Sequence, residues 1–172
     1  MDGSDSEEFG AALAGGEWDG EAAALVGAPG ADGGAGAAYL VHPYDPSSRL
    51  NPVEFRGAGG EMWGASVAFV GDTDRDGVEE IAIGATESSV TFEAAGAVYF
   101  FALDDLNSGG VFEGEDAVRV IYGEKENEST GSAVLNVGDV TGDGWDDLAI
   151  GATTLDAPEG WNEGGFSLWV RP

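Results

Sequence analysis

The sequence predicts an all-β protein built from repeated four-stranded units, and three observations lead to this prediction. The apolar residues occur in short blocks of four to six residues, rich in Val, Ile, Phe, Tyr and Trp and bounded by Gly, Asp and Asn. No stretch keeps an apolar period of 3.6 residues, and the 30 glycines disfavour long helices. Two segments also repeat without a gap, because Gly131 and Gly151 stand 67 residues after Gly64 and Gly84.

Three repeats follow one another along the chain. The second and third begin at Trp63 and Thr130, and the first begins at Phe9 with a central loop that is three residues shorter. A second apolar block follows each repeat core, and a further β-like stretch follows the first two; these lie at 36–41, 96–101 and 165–170, and at 53–55 and 117–122. Four-stranded units that recur about every 60 residues are typical of propeller blades. We therefore predict a partial β-propeller of about three blades of antiparallel sheet, the last incomplete, at 9–61, 62–128 and 129–172 after an acidic N-terminal segment at 1–8.

Two acidic loops inside the repeats predict cation sites. Oxygen-bearing side chains stand at loop positions 1, 3, 5 and 9, and a glycine stands at position 6. Ca²⁺ prefers six to eight oxygen ligands, and alternate residues of a tight loop can point inward together. The candidate ligands are these side chains and the backbone carbonyl at position 7, which gives Asp72, Asp74, Asp76, Val78 and Glu80 in the second repeat and Asp139, Thr141, Asp143, Trp145 and Asp147 in the third.

An acidic turn without a metal is the alternative interpretation, because Asp and Gly favour turns in any case. Two aligned copies, each between strands, favour the metal interpretation, so we predict two Ca²⁺ sites. A helix-flanked calcium loop is disfavoured because its position 12 needs Glu, where these loops have Ile83 and Ile150. The first repeat keeps only Asp19–Gly20, with Glu17 nearby, and we expect no metal there.

These features together resemble the FG-GAP repeats, the propeller module of integrin α-subunits and of many bacterial and archaeal surface proteins. Phe9–Gly10 and Gly27–Pro29 match the two tags that name the family, while Gly84–Thr86 and Gly151–Thr153 have Thr in place of Pro. The resemblance covers most of residues 9–170. It implies calcium held in β-hairpin loops and a non-enzymatic propeller that serves adhesion or recognition of a protein or glycan, at the cell surface or outside the cell.

The number of blades and the function of the whole protein stay open from sequence. Propellers of the family commonly close with seven blades, and three should not close, so we expect a piece of a longer protein or assembly with other copies. A non-catalytic scaffold attached to an enzyme domain outside this chain is the alternative function. The chain itself indicates no catalytic set, since its single histidine, His42, lies beside Pro43 after a strand and no Gly-x-Ser-x-Gly elbow occurs.

The charge restricts the class of partner. There are 33 acidic and 6 basic residues, and the formal net charge of −27 disfavours nucleic acids and anionic membranes but favours cations. No apolar run approaches the roughly 18 residues of a membrane span, so we expect no direct membrane insertion. Two calcium sites do not need so many acids. We therefore favour adaptation to high salt over a merely soluble acidic surface. The many carboxylates repel one another in dilute buffer, and molar salt removes most of this repulsion because it shortens the screening length to about 3 Å.

Overall fold

Twelve strands form three sheets in the computed structural model, which describes residues 8–45, 52–153 and 165–169. In chain order they are β1 (Ala12–Trp18), β2 (Glu21–Ala28), β3 (Ala37–Val41), β4 (Val53–Arg56), β5 (Trp63–Gly71), β6 (Glu80–Ala85), β7 (Ala97–Ala102), β8 (Val111–Phe112), β9 (Arg119–Tyr122), β10 (Thr130–Gly138), β11 (Asp147–Ala152) and β12 (Gly165–Trp169). A helical turn at Ala31–Gly34 and 3₁₀ turns at Asp104–Ser108 and Gly114–Asp116 connect them. Except for Glu8, the predicted acidic segment at 1–8 lies outside the described residues.

The three sheets follow the three repeats. Sheet 1 has the order β1-β2-β3-β4-β8, sheet 2 the order β5-β6-β7-β9, and sheet 3 the order β10-β11-β12. The first four strands of sheet 1 and all strands of the other two sheets pair antiparallel. The prediction of an all-β fold is confirmed, and none of the sheets closes on itself within the described residues.

Strand β8 departs from the simple repeat pattern, because it lies in the second predicted unit but joins sheet 1. It pairs parallel with β4, with Glu54 opposite Val111 and Phe55 opposite Phe112. The Phe112 ring lies 5.7 Å from the Phe55 ring, and the Glu54 N–H donates a 2.9 Å hydrogen bond to the Gly110 carbonyl. A two-residue strand has too short an apolar pattern to be predicted from sequence.

Sheet 2 lies between the other two sheets and is buried on both faces. All six residues of β7 are buried, and successive side chains point to opposite faces of a strand. Phe101 therefore packs in the core shared with sheet 1, where its ring lies 4.8 Å from that of Phe55. Phe100 packs in the second core, together with Leu148 of sheet 3. This two-sided burial explains why β7 reads as an uninterrupted apolar block.

A close glycine contact recurs where one sheet meets the next. A Cβ placed on Gly27 of sheet 1 would lie 2.0 Å from the carbonyl oxygen of Gly64 in sheet 2. A Cβ on Gly84 of sheet 2 would lie 2.1 Å from the carbonyl oxygen of Gly131 in sheet 3. These positions need glycine because the neighbouring backbone occupies the space of a side chain.

Among the described residues, none of the helical segments has both the length and the apolar character of a membrane span.

Candidate metal centre

The two acidic loops lie at equivalent places in sheets 2 and 3, one between β5 and β6 and the other between β10 and β11. Each follows a glycine in the left-handed region, Gly71 with φ 70° and Gly138 with φ 71°. The register of the strand pair shifts at both glycines. Such a bulge ends the regular pairing and turns the chain into the loop.

Backbone amides orient the carboxylates of the first loop. Asp72 accepts hydrogen bonds from the N–H of Arg75 at 2.6 Å and from the N–H of Gly77 at 3.1 Å. Asp76 accepts one from the N–H of Val78 at 2.8 Å. Gly77 has φ 91°, which a glycine adopts without strain and which allows the loop to turn sharply. The sequence pattern therefore produces a turn that holds its acidic side chains in place.

Four carboxylates converge in this first loop. One oxygen from each of Asp72, Asp74, Asp76 and Glu80 lies within 4.8 Å of all the others. Within the described segments this is the one set of three or more His, Cys, Asp or Glu side chains that meets this distance. Two oxygens on opposite sides of one Ca²⁺ ion are about 5 Å apart, because each bond is about 2.3–2.6 Å. The spacing therefore suits a hard cation, whereas without one the carboxylates repel each other.

Glu80 supplies a second, independent sign that the loop suits a cation. Its side chain is fully buried, and its Oε2 accepts hydrogen bonds from the Thr73 N–H at 2.6 Å and the Thr73 hydroxyl at 2.5 Å. Its Oε1 is buried without a hydrogen-bond partner. Burial raises the pKa of Glu80, and the hydrogen bonds from Thr73 and the positive charge of Arg119 oppose the shift. Arg119 also donates a hydrogen bond to the Thr73 hydroxyl, so one protein cation already lies near this carboxylate. A coordinated cation would satisfy the lone carboxylate oxygen, which otherwise lowers the stability of the fold.

The second loop repeats the hydrogen bonds of the first at the same spacing. Asp139 accepts from the N–H of Gly142 at 2.6 Å and from the N–H of Gly144 at 2.8 Å. Asp143 accepts from the N–H of Trp145 at 3.0 Å. Each of these bonds joins residues that stand 67 positions after the corresponding pair in the first loop. The two loops are therefore equivalent structures as well as equivalent sequences.

The acids of the second loop are less closely gathered. Asp139, Asp143 and Asp147 do not meet the mutual distance that joins the acids of the first loop. Asp147 is buried as Glu80 is, but its shorter side chain accepts hydrogen bonds from the N–H groups of Val140 and Thr141 at 2.9 and 3.0 Å. Position 3 is Thr141, which offers a hydroxyl instead of a charge. The second calcium site, and the carbonyl ligands predicted at position 7 of both loops, stay predictions.

An arginine links the two loops, and the sequence pattern did not reveal it. Arg75 Nη2 lies 3.3 Å from Asp143 Oδ2, and its guanidinium carbon lies 4.7 Å from the centre of the Trp145 ring. Arg75 has φ 65°, a left-handed backbone conformation that residues with a side chain adopt only at a cost. The aligned position of the second loop is Gly142, which adopts such a conformation without strain. A basic residue aligned with a glycine inside an acidic loop was the available signal. The contact itself depends on how the sheets stack.

The first repeat has a tight turn where the others have loops. Strands β1 and β2 pair as far as Trp18 opposite Glu21, and only Asp19 and Gly20 lie between them. Both have positive φ, 53° and 73°, as a two-residue hairpin turn requires. The first repeat is three residues shorter here, and its strands pair up to the turn, so no acidic loop forms.

Comparisons with known proteins found partial similarity to integrin alpha-6. No family model matches the chain. Integrin alpha-6 of Homo sapiens is 35% identical over 120 residues, which cover 68% of this chain and 10% of that protein. Integrin alpha-6 of Gallus gallus is 35% identical over 100 residues, which cover 57% of this chain and 9% of that protein. The chain thus spans about a tenth of the length of these curated relatives, and it is similar in sequence to one part of integrin alpha-6.

Proposed function

We propose that this chain is a calcium-binding propeller segment of FG-GAP repeats that serves recognition or adhesion at the cell surface or outside the cell. In this role the chain has no catalytic activity of its own. The first loop binds Ca²⁺ through Asp72, Asp74, Asp76 and Glu80, and the second loop binds a second ion more weakly. The sheets present a rigid surface to a protein or glycan partner.

The observation that carries the proposal is the convergence of four carboxylates, one of which, Glu80, has a buried oxygen without a hydrogen-bond partner. Ordinary acidic turns satisfy their carboxylates with backbone amides or water. Here Glu80 Oε1 lies inside the protein, at the first residue of a central strand, without such a partner. A hard cation is the group that satisfies several carboxylates at once.

Three further features support the assignment to recognition. The stacked antiparallel sheets, the glycine contacts between them and the repeated loops agree with the FG-GAP resemblance. The partial similarity to integrin alpha-6 agrees with a receptor-type segment outside the cell. The net charge of −27 also disfavours phosphate-bearing partners, which agrees with a protein or glycan as the ligand.

Calcium titration of matched variants tests the proposal. Asp76→Ala removes one carboxylate of the first loop, and Glu79→Ala removes an equal charge from an exposed side chain outside the carboxylate set. We expect millimolar calcium to raise the melting temperature of the parent and of Glu79→Ala, because a ligand that binds only the folded state stabilises it. Calorimetry should find one site fewer in Asp76→Ala. Asp143→Ala should remove the weaker site instead.

Two results would contradict the proposal. The first is a parent protein whose melting temperature and calorimetric heat do not respond to calcium beyond the response to an equal ionic strength of NaCl. The second is equal loss of calcium binding in Asp76→Ala and Glu79→Ala, since general charge attraction and not a defined site would then hold the ion.

A further inference from the structure

An arginine on the outer strand of sheet 2 reaches the first acidic loop from outside that loop. Arg119 is the first residue of β9 and lies opposite Phe100 of β7, which separates it from β6. Its guanidinium carbon lies 4.7 Å from the centre of the Phe100 ring, and its Nη2 donates a hydrogen bond to the Thr73 hydroxyl. Phe100 is fully buried, so the arginine crosses the sheet over an apolar ring and ends at the loop.

The hydrogen bonds from Arg119 to the loop have one consistent direction. An arginine side chain carries only donors, so the Thr73 oxygen accepts from Arg119 and its single proton is left for Glu80 Oε2, 2.5 Å away. The Thr73 N–H donates to the same oxygen at 2.6 Å. Thr73 and Glu80 are both buried. Charges at the two ends of this chain of bonds are therefore screened less by water than charges at the surface.

The second loop is built differently at the equivalent positions. Val140 stands 67 residues after Thr73 and has no hydroxyl, and it is exposed. Asp147, the counterpart of Glu80, accepts hydrogen bonds from the N–H groups of Val140 and Thr141, and the Thr141 hydroxyl lies 3.5 Å from its Oδ1. The connection from a basic side chain through a hydroxyl to the buried carboxylate is thus a feature of the first loop and not of the repeat.

The charge of Arg119 acts differently on the calcium-free and the calcium-bound loop. Without an ion, four carboxylates face one another, and a neighbouring positive charge offsets part of their repulsion. With Ca²⁺ in place, the same positive charge repels the ion. Arg75, the basic residue within the loop itself, contacts Asp143 of the other loop. Arg119 should therefore stabilise the calcium-free loop more than the calcium-bound loop.

The orientation of Glu80 has the opposite effect on calcium binding, but it depends less on Arg119. A carboxylate that is held in place binds an ion more tightly than a mobile one, because less entropy is lost. The two hydrogen bonds that hold Glu80 come from Thr73, and both groups remain when Arg119 is replaced. A replacement of Arg119 thus removes charge more than orientation, and the charge determines the sign of the effect.

We propose that Arg119 is a resident counter-ion of the first loop, which keeps the loop folded without calcium and lowers its affinity for the ion. Thr73 connects this charge to Glu80. The inference rests on the proposed function, because it takes the first loop as a calcium site. It adds a regulation to that site. A loop that stays folded when empty binds and releases calcium as the ion concentration changes, whereas a tighter site would stay filled.

Replacing Arg119 by a neutral side chain tests the effect of its charge. Arg119→Met keeps an apolar chain over the Phe100 ring, and the control Arg56→Met removes an equal charge from an exposed ion pair on sheet 1. All variants carry Asp143→Ala, so that the second loop does not contribute. Calorimetry should find calcium binding at least about tenfold tighter in Arg119→Met, which corresponds to about 1.4 kcal/mol, and unchanged in Arg56→Met.

Thermal unfolding measures the other half of the same linkage. The melting temperature of Arg119→Met should fall without calcium, and saturating calcium should restore much of the loss, because the tighter site stabilises the folded state more. Arg119→Lys keeps the positive charge and should keep the weaker binding of the parent. If Arg119→Met does not fold, Arg119→Gln takes its place with the same expected results, since its amide can donate to Thr73 without a charge.

Three results would overturn the proposal. Unchanged affinity in the neutral variant would leave Arg119 with a packing role only. Weaker affinity would show that the orientation of Glu80 outweighs the charge. Equal falls in melting temperature with and without calcium would show that Arg119 does not distinguish the two states of the loop. A parent that binds no calcium would contradict the proposed function as well, whereas each of these three results contradicts the role of Arg119 alone.

Discussion

Substituting the glycine between sheets 2 and 3 should destabilise the protein far more than the same change at the repeat-equivalent position in sheet 3. In Gly84→Ala the new Cβ would lie 2.1 Å from the Gly131 carbonyl oxygen and 2.3 Å from Ser66 Oγ. Ser66 itself donates a buried 2.7 Å hydrogen bond to that same carbonyl. The Cβ therefore displaces the Gly131 carbonyl and breaks the Ser66 hydrogen bond, and the carbonyl cannot move without moving sheet 3.

The size of the effect follows from these contacts. Overpacking against a backbone costs about 1–3 kcal/mol and a disrupted buried hydrogen bond about 1 kcal/mol more, so we expect Gly84→Ala to lose about 3 kcal/mol. At Gly151 the nearest atoms are Ser132 Oγ and Ala133 Cβ, both at 3.2 Å. The lower entropy of the unfolded chain with alanine offsets about 0.4–1 kcal/mol of that milder crowding, so Gly151→Ala should stay within about 1 kcal/mol of the parent.

Urea unfolding with saturating calcium measures both free energies. The difference between the two variants is the informative quantity, because any general effect of alanine in a strand cancels. Equal losses in Gly84→Ala and Gly151→Ala would refute the reasoning. A larger loss at Gly151 would refute it as well, since the sheet-to-sheet contact would then not be what requires glycine.

Three further predictions concern charge. Arg75→Gly should change the free energy of unfolding by less than about 1 kcal/mol, because relief of the left-handed backbone strain offsets the loss of an exposed ion pair. Calorimetry should nevertheless find tighter calcium binding in the second loop, because Asp143 is then no longer paired with Arg75. In calcium-free protein, the raised pKa of Glu80 means that the folded state keeps the Glu80 proton to a higher pH than the unfolded state does, so the free energy of unfolding should fall as the pH rises above 4.5. The melting temperature of Glu80→Gln should fall less over the same pH range. Equal falls in the parent and in Glu80→Gln would contradict a raised pKa of Glu80. With calcium saturating, the melting temperature should rise with NaCl between about 0.05 and 3 M beyond the rise in a neutral osmolyte, and a flat profile would leave the acidic surface as a solubility feature.

Much of the fold is readable from sequence because it depends on local patterns. The apolar block at 96–101 corresponds to β7 at Ala97–Ala102, and the acidic loops lie between strands as their spacing predicts. Alternation and turn residues determine these elements within a few positions of the chain. The prediction of a partial propeller depends on more than local patterns, because a propeller is defined by how its sheets are arranged about a common axis.

Features that depend on contacts between repeats could not be predicted. The Arg75–Asp143 pair joins residues 68 positions apart, and the isolated Oε1 of Glu80 arises from burial under neighbouring strands. The sequence indicates an acid at position 9 of the loop whether or not a metal binds there. Only the stacked structure shows that this acid is inside the protein and that one of its oxygens has no donor.

Glu80 and Gly84 show how one strand joins the two properties that we assign to this chain. Both lie on β6, Glu80 at the first residue beside the acidic loop and Gly84 near the other end against sheet 3. The glycine contact holds the strand between its neighbours whether or not a cation is present. The carboxylate end, by contrast, carries a buried charge that burial disfavours. Cation binding therefore stabilises the loop end of a strand whose other end is already held by the glycine contact. We expect calcium to stabilise the hairpin loops, although the sheets stack without it.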